Sequence, residues 1–275
     1  MSQGSRPTRS KMTSSTRHAS RFRSAGPYYV RFRPRYPSSL IAALAQSCRL
    51  DGSGRLLDLG CGPGFLAIAL APHVAEAVAM DPEPEMLALA AEAAAAAGVA
   101  LTLVGGGSGD LGPALGRFRL VTMGRSFHWM ERDATLAARD ALVCDGGAVA
   151  VLGEQHVEPP EGDWRTAWKA VARKWTGAAG GSRPRRDDPG WLPHEAVLRR
   201  SAFSQVERLA VAEERATDLE ALVGRAYSMS ASTPAALGDR RAAFEADLRQ
   251  ALMPFLRQGT IRESVEFEAL LARRP

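Results

Sequence analysis

Between positions 55 and 152, short apolar runs alternate with longer stretches in which apolar residues recur at helical spacing. Short apolar runs bounded by glycine or proline are typical of buried strands, and apolar residues three or four positions apart are typical of one face of a helix. Regular alternation of the two through short loops predicts a parallel sheet covered by helices on both faces. Strands are predicted over 55–59, 76–80, 99–104, 118–123 and 148–152, and helices over 37–48, 65–71, 84–97 and 133–143.

The regular alternation ends after the fifth predicted strand. Segment 159–175 contains three tryptophans, 177–189 is a loop rich in Gly, Arg and Pro, and 217–257 is mostly helical. Two further strands are predicted over 203–211 and 263–270, and they must be antiparallel if they pair as a hairpin. We therefore expect an α/β fold: a doubly wound, mostly parallel sheet of seven strands with an inserted, mostly helical cap.

Composition and periodicity divide the chain into four segments. Residues 1–26 are mainly Ser, Thr, Arg and Gly with little to bury, so we expect a disordered basic tail. Residues 27–153 form the core with the alternating elements, and 154–200 form an inserted cap segment. Residues 201–275 complete the sheet and contribute a helical cap over 217–257.

The net charge of +5 is an average over two different regions. Positions 1–50 carry ten Lys and Arg residues and no acid, whereas the remaining 225 residues carry 25 basic and 30 acidic groups. A basic tail suits phosphate contacts and so raises the possibility of an RNA partner. The acidic body argues against nucleic acid and favours, weakly, a cationic small molecule.

Cysteine usage and hydropathy bear on location and metal binding. The three cysteines, Cys48, Cys61 and Cys144, are scattered and odd in number, which indicates neither a disulfide framework nor a metal site. No apolar run approaches the roughly 18 residues that span a bilayer, and no apolar stretch follows the basic start as a signal peptide requires. We expect a cytoplasmic protein with no membrane partner and no metal.

The strongest chemical signal is a glycine-rich turn between the first strand and the helix after it. Its glycines are Gly60, Gly62 and Gly64, and Asp58 lies at the end of the strand before them. Glycines let the backbone approach a ligand where a Cβ would clash. A dinucleotide-binding turn needs its third glycine at position 65, which is Phe65. A carboxylate at position 58 would also repel a pyrophosphate, whereas it suits the ammonium group of an amino acid.

A second carboxylate, Asp81, ends the second predicted strand, 21 residues after Gly60. A carboxylate there accepts hydrogen bonds from ribose hydroxyls. A ribose and an amino acid without a phosphate point to S-adenosyl-L-methionine (SAM). From Tyr28 to Leu152 the sequence resembles the class I SAM-dependent methyltransferase superfamily, whose first motif is an acidic residue followed by G-x-G-x-G. The resemblance implies a Rossmann-like sheet.

The same resemblance assigns roles around the cofactor. Asp58 and Gly60 lie along the methionine portion of SAM, Asp81 holds the ribose, and Gly62 and Gly64 are further cofactor contacts. Arg33 meets the carboxylate, and Tyr29 closes over the cofactor. The alternative for Arg33 and Tyr29 is a solvated basic segment. Segment 105–110 is richer in glycine than in relatives, so Asp110 either meets the adenine or merely caps a turn. The other expected cofactor contacts are Pro82, Met86, Ser108 and Gly124.

The segment after the fourth strand, 124–130, resembles the G-x-x-F-H-W pattern of small-molecule methyltransferases of the ubiquinone and trans-aconitate type, many of them antibiotic-tailoring enzymes. This resemblance makes His128 a candidate general base, because imidazole titrates near neutral pH. The alternative is a structural histidine that bonds the backbone near SAM. Cys61, inside the glycine-rich turn, is expected to pack rather than to act as a nucleophile.

The cap is expected to select the acceptor, and its composition favours a polycationic small molecule. The expected substrate contacts are Trp129, Glu154, Gln155, Trp164 and Tyr227. The overall pattern resembles the gentamicin-pathway amino-sugar N-methyltransferases, which implies methylation of an amine in antibiotic biosynthesis. The alternatives are an O-methyltransferase of another natural product, an RNA methyltransferase and a non-catalytic SAM-binding protein.

Overall fold

The computed structural model describes residues 24–157, 164–176 and 190–275. Most of the predicted basic tail and the predicted loop 177–189 therefore lie outside the described residues. None of the helices in the described ranges has the length and apolar character needed to cross a membrane.

The predicted end of the tail at residue 26 is wrong, because the fold begins earlier. Ala25 is fully buried, and Gly26 begins the first helix, α1 (Gly26–Phe32). Gly26 lies so close to Leu89 that an added Cβ would be 2.5 Å from its Cδ1 atom. Small residues at these two positions allow the chain to pack against the core, although they look like linker residues in the sequence.

The seven strands form one sheet with the order β3-β2-β1-β4-β5-β7-β6. Only β7 runs antiparallel to its neighbours, β5 and β6. This confirms the predicted mostly parallel sheet and the antiparallel final hairpin. The strands are β1 (Arg55–Leu59), β2 (Glu76–Asp81), β3 (Thr102–Gly105), β4 (Phe118–Gly124), β5 (Val143–Val157), β6 (Gln205–Asp218) and β7 (Thr260–Arg273).

Helices cover both faces of the sheet. One face packs on α2 (Ser38–Ser47), α3 (Phe65–Leu70) and α4 (Pro84–Ala96), and the other on α5 (Arg132–Asp140) and α7 (His194–Arg199). Neighbouring strand residues such as Leu56 and Leu57 belong to opposite hydrophobic clusters, and both are fully buried. Alternate side chains of a strand point to opposite faces, so a strand covered on both sides is apolar throughout. The cap helices are α6 (Trp164–Thr176), α8 (Leu219–Tyr227), α9 (Pro234–Leu237) and α10 (Arg241–Leu252).

Strand β5 is much longer than the predicted 148–152. It begins at Val143, passes the predicted Asp-Gly-Gly turn as a register irregularity against β4, and continues beside β7 to Val157. Glu154 therefore lies on a strand. The predicted cap segment 154–200 had placed it in the cap, and that prediction is wrong for this residue. Within the same segment, α7 packs Val197 and Leu198 into the core. Pairing with β7, more than 100 residues away in sequence, extends β5, and local periodicity carries no signal of that pairing.

The cap has its own hydrophobic cluster, which includes Trp164, Tyr227 and Phe244. Helix α1 packs against α8 so closely that a Cβ on Gly224 would be 2.2 Å from Cδ2 of Phe32. Tyr28 of α1 adds an edge-on ring contact to Tyr227, with ring centroids 5.1 Å apart. The cap therefore positions α1, which carries Tyr29 and is followed directly by Arg33.

Candidate active site

A cavity of about 520 Å³ lies at the carboxyl ends of the parallel strands. This is the position at which doubly wound folds bind their ligands, and the volume is within the usual range for small-molecule sites. Its wall includes Gly60 after β1, Asp81 at the end of β2, Gly124 at the end of β4 and Glu154 on β5. The fold therefore gathers the ends of four strands around one site.

The glycine-rich turn forms one wall of this cavity. Gly60 has a φ of +67°, and a Cβ there would lie 2.7 Å from Cβ of Ser126. Its backbone N–H donates a 2.8 Å hydrogen bond to the carbonyl oxygen of Met80, which ties the turn to β2. Gly62 has a φ of +53°, and no atom lies within 4 Å of the place a Cβ would take. A ligand can therefore approach the backbone of Gly62 directly.

Asp81 connects this turn to the start of α4. Its Oδ2 atom accepts a hydrogen bond from the N–H of Gly62 at 2.8 Å, and its Oδ1 atom accepts one from the N–H of Glu83 at 2.9 Å. Burial raises the pKa of Asp81 to about 6. Each carboxylate oxygen has a second lone pair and can also accept a hydrogen bond from a ligand hydroxyl. Pro82 and Met86 continue the wall beside it.

Asp58 takes a different position from the one expected. It is 1% exposed, does not line the cavity, and accepts a 2.8 Å hydrogen bond from the hydroxyl of Thr122 on β4. Burial raises its pKa to about 7. Asp58 therefore bonds across the sheet to β4 and does not line the cavity in which its contact with the methionine ammonium was expected.

On the other side of the cavity, Glu154 lies between two arginines. Its Oε2 atom is 2.6 Å from Nη2 of Arg125, and its Oε1 atom is 3.6 Å from Nη1 of Arg33. Burial on its own would raise the pKa of Glu154, but the positive charges of Arg125 and Arg33 outweigh that effect and hold the pKa below its usual value. Glu154 is therefore an ionised carboxylate in the cavity wall.

Two histidines from distant parts of the chain line the same cavity. His128 lies on a short 3₁₀ turn after β4, with its ring 5.0 Å from that of Trp129. His194 begins α7, and its ring lies 5.1 Å from the buried ring of Phe127. Nη1 of Arg132 is 3.3 Å from Nδ1 of His194. Because arginine only donates, this contact favours an unprotonated Nδ1.

The structure brings together most of the residues expected from the sequence. Of the cofactor candidates, Tyr29, Arg33, Gly60, Gly62, Asp81, Pro82, Met86, Ser108 and Gly124 line the cavity, as do His128, Trp129 and Glu154. Six expected residues do not line it: Asp58, Gly64, Asp110, Gln155, Trp164 and Tyr227.

Four of those six residues have structural roles in this fold. Gly64 precedes α3 with a φ of +75°, and Asp110 accepts a hydrogen bond from the N–H of Gly107 at 2.9 Å, as a turn-capping residue would. Trp164 is buried in the cap cluster, and the Tyr227 hydroxyl donates to Glu245 at 2.7 Å. These two large side chains were expected at the substrate because the sequence does not show which way a cap helix faces.

Gln155 does not line the cavity. It is exposed and donates at 3.1 Å to Glu268, which does line the cavity. The sequence analysis also missed several wall residues. Arg125 and Ser126 lie within the 124–130 segment and could have been found from their place after β4, whereas His194 and Met229 come from distant segments without any local signal.

The wall of the cavity fits SAM. The open backbone at Gly62 leaves room for an amino-acid chain, Asp81 offers acceptors for two hydroxyls, and Met86, 3% exposed, offers an apolar surface for a base. Arg33 adds a guanidinium that can meet a carboxylate.

Comparisons with known proteins agree with this fit. Residues 56–147 match the family model described as a methyltransferase domain. No curated protein gives a significant match to the chain.

Among solved structures, a SAM-dependent methyltransferase from Thiobacillus denitrificans, in complex with S-adenosyl-L-homocysteine, has a TM-score of 0.54 and is 16% identical; the match covers 92% of this chain and 98% of that one. A SAM-dependent methyltransferase from Geobacter sulfurreducens, also with S-adenosyl-L-homocysteine, has a TM-score of 0.52 and is 15% identical; the match covers 93% and 98%. The cyclase SpnF has a TM-score of 0.50 and is 20% identical, with 86% and 81% covered. At these identities the likeness establishes the fold, and a fold can host several reactions.

The domain match, in contrast, concerns the segment that carries the glycine-rich turn and Asp81. That segment is a methyltransferase domain. The protein is a SAM-dependent methyltransferase, and SAM is its cofactor.

Proposed function

We propose that the protein methylates a nitrogen atom of a small cationic acceptor, and that the acceptor is an amino sugar of the aminoglycoside type made in antibiotic biosynthesis. The observation that supports this proposal is the charge of the cavity. Among the described residues, five carboxylates and two guanidinium groups line it. An excess of carboxylates attracts and orients a polycation.

The carboxylates are distributed along the cavity in a way that separates cofactor from acceptor. Asp81 and Glu83 lie on the β2 side, where the ribose would bind. Glu131 after β4, Glu154 on β5 and Glu268 on β7 lie on the other side of β1 in the strand order. We assign this second group, with the indole of Trp129, to the acceptor.

Bound SAM supplies an electrophilic methyl group, which an acceptor lone pair takes in a direct displacement as the carbon–sulfur bond breaks, leaving S-adenosylhomocysteine. The residues of the chain then have three tasks: to align the acceptor, to exclude water, and to leave the attacking nitrogen neutral. An amine needs only to lose a proton to water or to a nearby imidazole before it attacks. A hydroxyl acceptor would need a firmer general base.

The direct test is incubation of the protein with methyl-labelled SAM and a panel of aminoglycosides, with neutral sugars of the same size as matched controls. We expect label on the amino sugars, located on nitrogen by mass spectrometry. Label found only on non-basic acceptors would overturn the proposal. SAM binding without transfer to any acceptor would indicate a different reaction on the same fold.

Replacement of His128 by Ala distinguishes nitrogen from oxygen as the acceptor atom. For an amine we expect kcat to fall by less than about tenfold, since no strong base is required. Loss of a general base for a hydroxyl lowers the rate by about 10²–10⁴-fold. In both cases the affinity for S-adenosylhomocysteine, measured by titration calorimetry, should stay within about twofold of the wild-type value.

The O-methyltransferase alternative rests on one specific observation. His128 and His194 come from separate elements, and both imidazoles line the same cavity. A fall of about 10²-fold or more in kcat of the His128→Ala variant, with cofactor affinity intact, would favour that alternative.

A further inference from the structure

The two oxygens of the Glu154 carboxylate face two different arginines. Arg125, which follows β4, lies 2.6 Å from Oε2, and Arg33, which follows α1, lies 3.6 Å from Oε1. Side chains of all three residues are at most 18% exposed. The cluster lies in the cavity wall, so a ligand that enters the cavity meets it directly.

The two contacts differ in how firmly they are built. Arg125 is fixed on three sides: it donates to the carbonyl oxygen of Pro34 at 2.7 Å, lies over the ring of Tyr36 at 4.6 Å, and contacts Glu154 at close range. Arg125 is therefore held in place by groups other than Glu154, and its contact with Oε2 is an ion pair without hydrogen-bond geometry.

Arg33 is held through a different atom. Its Nε atom donates to the hydroxyl of Ser228 at 2.9 Å, and its guanidinium lies 5.3 Å from the centre of the Tyr29 ring. The 3.6 Å separation from Glu154 is beyond hydrogen-bond range. Arg33 is thus anchored at Nε, while its Nη1 atom faces the Glu154 carboxylate without a hydrogen bond to it.

We propose that Oε1 of Glu154 is an internal counter-ion for Arg33, that the carboxylate of the cofactor replaces it there, and that the released oxygen then binds an ammonium group of the acceptor. The second half of this inference rests on the proposed function. The ammonium in question is one that does not react, since the attacking nitrogen must be neutral.

Charge balance gives the physical reason for the exchange. Without ligands, one carboxylate faces two guanidinium groups. When the cofactor carboxylate pairs with Arg33, Glu154 keeps Arg125 at Oε2 but has lost the cation that faced Oε1. A buried carboxylate oxygen without a partner is unfavourable, and an acceptor ammonium removes that cost. Cofactor binding therefore prepares the acceptor site, and we expect ordered binding with the cofactor first.

The first test compares two ligands that differ only at the amino-acid end. S-adenosylhomocysteine carries the carboxylate and the ammonium of its amino acid, whereas methylthioadenosine keeps the adenosine and thioether and lacks both. Glu154→Gln keeps the size of the side chain but removes the competing charge. We expect this variant to bind S-adenosylhomocysteine about fivefold more tightly, the size of a weak ion pair, and methylthioadenosine within about twofold of the wild type, both measured by calorimetry. A competing role of Glu154 toward the ammonium would weaken S-adenosylhomocysteine in the Gln variant, the opposite of the result expected here.

Two further variants keep this test decisive. In an Arg33→Gln background, Glu154→Gln should no longer change the affinity for S-adenosylhomocysteine. Glu266→Gln is the matched control, because Glu266 lies on the adjacent β7 strand, pairs with Arg208 and does not line the cavity. It should change neither affinity. If Glu154→Gln leaves both affinities unchanged, or weakens both ligands equally, Glu154 is no counter-ion for Arg33 and the proposal is wrong.

The second test concerns the acceptor half. An amine acceptor should bind the wild type more tightly with S-adenosylhomocysteine present than with methylthioadenosine, and Glu154→Gln should remove that difference and raise the acceptor KM more than it lowers kcat. Equal acceptor affinity with both ligands would overturn this half. If no amine is methylated at all, the proposed function is wrong. The calorimetric comparison of S-adenosylhomocysteine with methylthioadenosine still tests whether the cofactor carboxylate replaces Glu154 at Arg33.

Discussion

Replacing Asp81 by Asn should remove most of the affinity for S-adenosylhomocysteine. The carboxylate accepts one backbone N–H at each oxygen, from Gly62 and from Glu83. An amide has only one acceptor oxygen, so its NH₂ group would face one of those donors and push the glycine-rich turn or the start of α4 away. Loss of hydrogen bonds to a charged group costs about 1.5–3 kcal/mol each, so we expect a fall in affinity of roughly 10²-fold by calorimetry.

Glu76→Gln provides the control for this substitution. Glu76 begins the same strand at its opposite end, where it pairs with Arg55 and is partly exposed. Its loss should change cofactor affinity by less than about twofold, because partly exposed ion pairs contribute little. A variant Asp81→Asn that binds S-adenosylhomocysteine within threefold of the wild type would contradict the role given to Asp81.

Replacing Asp58 by Asn should stabilise the ligand-free protein at pH 8 but not at pH 4. The folded protein raises the pKa of this carboxyl to about 7, chiefly by burial, above the usual unfolded value of about 4. The protonated form therefore suits the fold, and its contribution to stability is complete below about pH 4 and is lost as the pH rises to about 7. Asn supplies a neutral group of the same shape, and its oxygen can still accept from Thr122.

The measured quantity is the free energy of unfolding by urea as a function of pH. The difference between Asp58→Asn and wild type should grow by about 2–4 kcal/mol between pH 4 and pH 7 and then level off. Asp51→Asn serves as control, because Asp51 is exposed and its pKa is lowered by hydrogen bonds from Ser53. Parallel stability curves for Asp58→Asn and wild type would show that Asp58 is not protonated in the fold.

The sequence predicted best those elements whose residues lie close together in the chain. The unit from β1 through the glycine-rich turn to α3 was predicted within a residue, because apolar strand, turn glycines and helix follow one another directly. The end of β2 at Asp81 follows from the same strand–helix pattern. Parallel strands end at one edge of the sheet, so these residues were expected to meet there.

Residues whose role depends on distant pairing were placed less well. Glu154 was expected in a cap but lies on β5, since β7 extends that strand. Trp164 and Tyr227 were expected at the substrate but pack inside the cap, because the helices beside them bury those faces.

The sequence by itself determined the strand–helix alternation, the glycine-rich turn and the carboxylate after β2, and with them the class of enzyme. These features depend on residues close in sequence, where backbone conformation and hydrophobic spacing act directly. Only the tertiary structure decided that Asp58 is buried beneath the turn, that His194 joins His128 in one cavity, and that Arg33 and Arg125 share Glu154. Those contacts join segments up to about 120 residues apart, and their geometry exists only after the sheet and the cap have packed.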